Sequence, residues 1–248
     1  MDTEDNRTGK HGVTVIIPAL NEAENLPWVL SRMPADIDEI LLVDGRSTDG
    51  TVELARKLCP CINVICQEGK GKGNALITGF KHASGEIVIT IDADGSMDPG
   101  EIPRFIKAIQ EGCEFAKGSR FIEGGRSEDV TIVRYIGNRL FALITSILYR
   151  CKVTDVTYGF NAVKLRNFPC ECLYSQNFTI ETEMYLKAIR AKMKIKETPS
   201  IEYRRKFGGS KLHTFKDGGA ILRTILFERI RNRQPAKDQS GRTDEHKN

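Results

Sequence analysis

Short, nearly all-apolar runs alternate with helical patterns through the first half of the chain. Val13–Ile17, Glu39–Val43, Ile62–Cys66 and Ile87–Ile91 read as strands, and amphipathic segments near 22–33, 50–58 and 73–83 read as the helices between them. A strand that is apolar throughout has to be covered on both faces, and strands joined by helices run parallel. The first half is therefore expected to be a doubly wound α/β unit. Asn21 followed by Glu24 is spaced as a capping box for the first helix, and Asp49 with Gly50 as a cap for the second.

From about residue 115 the pattern continues with a strand over Cys113–Lys117, a helix over 131–149, a strand near 157–164, a helix near 179–191 and a strand near 194–203. No period repeats, so these elements complete the same sheet with mixed strands rather than build a solenoid. A last helical pattern, Gly218–Arg233, sets Ile221, Leu222, Ile225, Leu226 and Ile230 on one side among Arg223, Arg229, Arg231 and Arg233. Residues 1–11 and 234–248 are polar, lack periodicity and read as disordered tails around one domain, 12–233.

In open α/β sheets, ligands bind beyond the carboxyl ends of the strands. Four consecutive strand ends here are polar: Pro18-Ala-Leu-Asn21-Glu22, Asp44-Gly-Arg-Ser-Thr-Asp49-Gly, Gln67-Glu-Gly-Lys-Gly-Lys72-Gly and Asp92-Ala-Asp94-Gly-Ser96-Met-Asp98. Asp92 and Asp94 stand two residues apart where the chain leaves a buried strand, so both carboxylates can reach one hard cation. Mg²⁺ or Mn²⁺ on a diphosphate suits them, because these ions take one or two carboxylates plus phosphate oxygens. Asp44 can accept from the N–H groups of a nucleobase. Lys70 to Gly73 reads as a flexible cationic loop for a phosphate or ribose; it is neither a P-loop nor a dinucleotide-binding loop.

Thirty-seven Lys and Arg against 33 Asp and Glu leave a net charge of only +4, too little for a generic nucleic-acid binder. Yet Lys187 to Arg233 holds fourteen Lys and Arg against four Asp and Glu, so one end of the molecule is suited to anions. The acidic N-terminus has no apolar leader, and no run approaches the roughly 18 apolar residues of a membrane span. The chain is expected neither to be secreted nor to cross a bilayer. Seven cysteines, an odd number, read as reduced cytosolic thiols; the C-x-C pairs Cys59/Cys61 and Cys170/Cys172 are a poor match to zinc-site spacing.

Together these pieces resemble the family 2 glycosyltransferases of the nucleotide-sugar-binding A fold, most closely the dolichyl or polyprenyl phosphate sugar synthase branch. The resemblance runs from Val13 to Leu212 over seven stretches in order: Val15–Glu22, Val43–Thr51, Gly71–Ala75, Asp92–Pro99, Gly118–Arg120, Asp155–Phe160 and Arg205–Lys211. It implies a single α/β domain with a mostly parallel mixed sheet and helices on both faces. It also implies that Pro18, Leu20, Glu22, Asp44, Lys72 and Ala93 surround the GDP or UDP sugar, and that Asp92, Asp94 and Ser96 hold the metal. Arg205 and Lys211 would close over the phosphates, where cations stabilise the leaving diphosphate. Ser96 stands where relatives often carry Gln, Gly45 where they often carry Asp, and Asn161 where they often carry Arg.

A phosphate monoester acceptor arrives as a ready nucleophile, its second pKa being about 6, and needs cations rather than a base. Arg120 and Arg134 are the candidates. A hydroxyl acceptor needs a general base, for which Glu181 and Glu183 are candidates. The apolar stretch Leu140–Tyr149 and the basic last helix suit an anionic membrane surface, so the expected place of work is peripheral, at the cytoplasmic face. Two other readings stay open: the same fold acting on a soluble acceptor, and a nucleotide-sugar-binding module without catalysis.

Overall fold

The computed structural model describes residues 12–209 and 214–231. Both tails read from the sequence lie outside these residues. In chain order the elements are β1 (Val13–Ala19), α1 (Leu26–Ser31), β2 (Glu39–Asp44), α2 (Thr51–Leu58), β3 (Asn63–Cys66), α3 (Lys72–His82) and β4 (Ile87–Thr90). There follow α4 (Ile102–Gln110), β5 (Phe115–Ser119), β6 (Arg126–Ser127), α5 (Ile132–Tyr149), β7 (Asn161–Lys164), α6 (Ile180–Arg190), β8 (Ile195–Pro199), β9 (Ile201–Glu202) and α7 (Thr214–Arg231).

Seven strands form one sheet in the order β3-β2-β1-β4-β7-β5-β8. β1 pairs parallel with β2 and β4, β2 with β3, and β5 with β8, whereas β7 lies antiparallel between β4 and β5. Side chains on alternate residues point to opposite faces. Val15, Ile17 and Ile89 pack with Phe105, Ile106 and Ile109 of α4 and Leu26 of α1. Ile16, Leu41 and Val88 pack on the other face with Leu76 and Phe80 of α3 and Met184 and Tyr185 of α6. Each such buried side chain contributes about 1.5–3 kcal/mol. A smaller cluster, Leu186, Ile221 and Ile225, joins α6 to α7, with Phe141, Ile144 and Leu148 of α5 packed against it.

Three local features differ from the sequence reading. Asn21 forms no capping box: its φ is 57°, its Oδ1 accepts from Thr48 N at 2.8 Å, and its own N–H donates to Ser47 Oγ at 2.9 Å. It binds the loop after β1 to the loop after β2, while α1 starts later, after Asn25. The Lys70–Gly73 segment is only half loop: Lys70 and Gly71 are exposed ahead of the helix, whereas Gly73 is buried within it. Lys72 opens α3, Gly71 has φ 86°, and Asn74 N donates to Gln176 O at 3.2 Å. The third is α4, which the sequence reading leaves unassigned, although Ile102, Phe105, Ile106 and Ile109 have helical spacing and are buried. Pro99, Gly100 and Pro103 mask it, the last falling in the first turn, where proline costs little.

The seven cysteines form no disulfide. Among the described residues no three His, Cys, Asp or Glu side chains gather as a metal site.

A Cβ on Gly73 would lie 2.0 Å from the carbonyl oxygen of Ser175 and 2.7 Å from the carbonyl carbon of Gln176. Gly73→Ala is therefore expected to lower the unfolding free energy by about 1–3 kcal/mol in urea denaturation; an unchanged midpoint would show that the 174–177 loop gives way freely.

Candidate active site

The strand order reverses between β1 and β4, and a crevice opens at their carboxyl ends. There a cavity of about 890 Å³ is lined by Pro18 at the end of β1, Leu20 and Glu22 after it, Gly45 and Arg46 after β2, and Gln67 and Lys70 after β3. Asp92 to Asp94 and Ser96 line it from β4, and Val133, Arg134, Phe141, Gly218 and Leu222 line its far side from α5 and α7.

The carboxylate pair at the end of β4 is matched by cations. Lys72 Nζ lies 2.5 Å from Asp92 Oδ1 and 2.5 Å from Glu181 Oε1. Burial works against the Lys72 charge, but the two carboxylates outweigh it and hold the ammonium well above the ordinary lysine range. Burial also pushes the Glu181 carboxyl up, against the pull of Lys72. Arg205 Nη2 lies 2.8 Å from Asp94 Oδ2, and Asp94 Oδ1 accepts from Ser96 N at 2.9 Å.

Arg205 reaches this point because its segment is fastened on both sides. Tyr203 N donates to Ser96 O at 2.8 Å, and Phe207 N donates to Asn25 Oδ1 at 3.0 Å. Asn25 Nδ2 in turn donates to Glu22 Oε2 at 2.7 Å. Glu101, buried below, accepts from Ser200 Oγ at 2.5 Å and from Ile201 N at 3.2 Å, fixing the start of the same segment.

The facing wall holds a second charge cluster. Arg120, only 8% exposed, donates from Nε to Asp155 Oδ2 at 2.7 Å and from Nη2 to Asp155 Oδ1 at 3.0 Å. Its Nη1 donates to Glu202 at 3.0 Å and its Nη2 to Thr157 Oγ1 at 3.0 Å. Thr157 Oγ1 donates on to Asn138 Oδ1 of α5 at 2.8 Å. Burial would raise the Asp155 carboxyl, but Arg120 holds it below the usual carboxylate range. Behind it Lys117 is fully buried and donates to Tyr158 O. Burial pushes the Lys117 ammonium down to about 8, against the pull of Asp155.

Of the residues singled out in the sequence, Pro18, Leu20, Glu22, Lys72, Asp92, Ala93, Asp94, Ser96, Arg120, Arg134 and Arg205 line this one cavity. Asp44 lies outside its lining, behind Gly45 and Arg46, and its carboxylate accepts from Arg46 N at 2.9 Å and from Ser47 N at 3.1 Å. Lys211 lies outside the described residues. Glu181 lines the cavity, but Glu183 does not: its carboxylate is buried, accepts from Tyr174 N and Ser175 N, and pairs with Lys187. Asn25, Glu101 and Lys117 carry no sequence signal of their own. Asp155 lies in a stretch that marks the resemblance, but nothing in the sequence pairs it with Arg120. Asn161 donates from Nδ2 to Gly159 O at 2.9 Å beneath the cavity floor.

Residues 14–168 match the glycosyl transferase family 2. The chain is 30% identical to an undecaprenyl-phosphate mannosyltransferase of Micrococcus luteus over 86% of its own length and 91% of that protein. It is 33% identical to a dolichol-phosphate mannosyltransferase of Pyrococcus furiosus over 81% of its own length and 59% of that longer protein. Its fold superposes with a TM-score of 0.70 and 19% identity on glucosyl-3-phosphoglycerate synthase from Mycobacterium tuberculosis in complex with Mn²⁺, UDP-glucose and phosphoglyceric acid, over 89% of this chain and 80% of that one. The chain belongs to glycosyl transferase family 2, is a glycosyltransferase, and has the A-type fold of that family.

Asp155→Asn leaves Arg120 short of a buried counter-charge, and a loss of about 3–5 kcal/mol in unfolding free energy is expected. A loss below 1 kcal/mol would make the pair dispensable. Lys117 gives a signature in pH. The unfolded chain protonates this lysine below about 10.4 and the folded protein only below about 8, so its contribution to stability is complete above the upper value and lost as pH falls to the lower. Between pH 8 and 10 the stability of the wild type should therefore rise relative to Lys117→Met, by about 1–3 kcal/mol. A pH-independent difference would contradict this.

Proposed function

We propose that this family 2 glycosyltransferase moves one sugar, mannose in the first instance, from a nucleoside diphosphate to the phosphate of a polyprenyl or dolichyl lipid. The observation that carries the reading is the continuity of the cavity, which runs from the carboxylates after β4 to the apolar walls of α5 and α7. A polar donor and an apolar acceptor can meet inside it. The two mannosyltransferases similar to this chain bear names that place them on undecaprenyl phosphate and dolichol phosphate, which supports the same acceptor class here.

The residues fit a divalent ion. Two carboxylates stand two residues apart, each already holding a cationic side chain, and the remaining ligands would come from diphosphate and water. Asp92 and Asp94 would hold Mg²⁺ or Mn²⁺, with Ser96 beside them, and the ion would offset charge on the departing diphosphate. The chain's own groups do the rest. Lys72 and Arg205 turn from their carboxylates to the phosphate oxygens, and Lys211 is assigned the same task. Pro18, Leu20, Gly45 and Gln67 enclose the nucleoside, while Asp44 shapes the turn that presents Gly45 and Arg46.

The acceptor phosphate attacks from the side of the sugar opposite the leaving diphosphate, so the anomeric centre inverts. Being already ionised it needs no base, which agrees with the burial of Glu183. Arg134, half-buried on the cavity wall, meets this phosphate. Arg120, whose charge is matched by Asp155 and Glu202, shapes the wall behind it.

Ile132, Ile136, Leu140, Leu143 and Ile147 form one stripe of α5 and are each at least 51% exposed, with Leu226, Phe227 and Ile230 exposed on the adjoining α7. Among the described residues no helix is long and apolar enough to cross a membrane. Such faces suit a peripheral enzyme at the cytoplasmic surface, within a domain spanning 12–233.

The test is transfer by the purified protein with Mg²⁺ or Mn²⁺, labelled GDP- and UDP-sugars and short-chain polyprenyl phosphate, with chelator and no-lipid controls. Label should enter the lipid phase only with metal and lipid together. Asp94→Ala should abolish it and remove the Mg²⁺ dependence of donor binding. Transfer without lipid would move the reading to a soluble acceptor, and nucleotide binding with no transfer to a non-catalytic module.

A further inference from the structure

Sugar transfer leaves the two C-x-C pairs without a role, and the fold treats them differently. Cys59-Pro60-Cys61 makes the turn from α2 into β3. Cys59 N donates to Ala55 O and Cys59 O accepts from Ile62 N, both at 2.9 Å, so the turn is closed and Cys59 is held from both sides. Pro60 restricts the backbone between the two cysteines. Across it their sulfurs stand 3.3 Å apart. Cys170 and Cys172 lie instead in one short 3₁₀ turn, where three residues per turn send side chains two apart in different directions. There the Cys170 thiol donates to Glu171 Oε2 at 3.7 Å.

Two sulfurs in contact are suited either to a soft metal ion or to each other. A protein metal site takes further ligands, and among the described residues no third His, Cys, Asp or Glu side chain joins this pair. What remains is thiol–disulfide exchange, and the two cysteines differ as that reaction requires. Cys61 is exposed to an incoming disulfide, whereas Cys59 is half-buried against the hydrophobic core. Burial pushes the Cys59 thiol up, and its hydrogen bond with Cys61 adds to this. Cys59 also ends α2, where the helix dipole disfavours a thiolate.

We propose that Cys59 and Cys61 are a site of reversible oxidation by low-molecular-weight disulfides of the glutathione class, with Cys61 as the attacking thiol and Cys59 as the resolving one. The Cys61 thiolate attacks one sulfur of the oxidant, forming a mixed disulfide and releasing one thiolate. Cys59 then attacks Cys61 Sγ, which closes the Cys59–Cys61 bond and expels the second thiolate. The two protons lost by the cysteines go to the two released thiolates; the pair gives up two electrons and the oxidant takes them. A disulfide closed over so small a ring is strained, which keeps it easy to reduce again. The turn lies at the opposite end of β3 from the cavity residues Gln67 and Lys70, so the site stands apart from sugar transfer.

The experiment equilibrates the full chain, reduced and freed of reductant, in glutathione buffers of rising disulfide content, quenches with N-ethylmaleimide and reads tryptic peptides by mass spectrometry. Peptide 58–70 should lose two hydrogens by joining Cys59 to Cys61, at a glutathione disulfide level about 10-fold below that which closes Cys170 to Cys172. Cys59→Ser should stop at a glutathionylated Cys61, and Cys61→Ser should stay reduced at Cys59. Cys66 is the third thiol of that peptide, and Cys66→Ser should oxidise as wild type does. Wild type that accumulates glutathionylated Cys61 without closing the bond would overturn the proposal. So would closure of Cys170 to Cys172 at the same glutathione ratio, or loss of the disulfide in Cys66→Ser.

Discussion

Two carboxylates two residues apart at the mouth of a buried strand repel each other unless cations stand against them, and much of the architecture serves that need. The cations come from distant parts of the chain. Lys72 is delivered by the first turn of α3, where the helix dipole by itself disfavours positive charge, and its pairing with both Asp92 and Glu181 outweighs that handicap. Arg205 is delivered by a segment more than a hundred residues later, tied to Ser96 and to Asn25. The first and last thirds of the domain therefore meet at the end of β4. The tight contact of Gly73 with the 175–176 backbone belongs to the same meeting, since it seats the start of α3 against the loop that leads into α6.

The opposite wall follows the same logic at greater depth. Arg120 and Lys117 are buried together with Asp155 and close to Glu202. A buried ion pair is weak evidence for net stability, but it fixes geometry because neither partner has anywhere else to go. Through Thr157 that geometry passes to Asn138 and so to α5, setting the helix at a defined distance from the cavity.

The parallel half was legible because its physics is local. Apolar strands, intervening amphipathic helices and polar strand ends are all properties of short windows, and the rule that ligands sit after parallel strands pointed to Asp92 and Asp94. That rule fails for β7. It runs antiparallel, so its beginning rather than its end faces the cavity, and the residues that matter, Asp155 to Gly159, precede the strand. Arg120 reads in the sequence as a cation for a phosphate, and nothing in its neighbourhood along the chain announces that Asp155 and Glu202 match its charge. Asp44 shows the converse. It looks like a free acceptor in the sequence, but a turn of three residues folds its own backbone N–H groups onto it. Asn25 and Glu101 hold a segment 99 to 182 residues away, a separation at which no periodicity carries information.

The exposed stripe of α5 also governs how the protein behaves as a material. Its apolar side chains cannot be withdrawn, because the other side of the helix already packs Asn138, Ala142 and Thr145 inward. Contiguous apolar surface of this kind is satisfied in water only by another surface. Concentration, ionic strength and mild detergent will therefore act on this helix before they act on the sheet. The colloidal state of a preparation will report whether that face is covered well before the fold itself is disturbed.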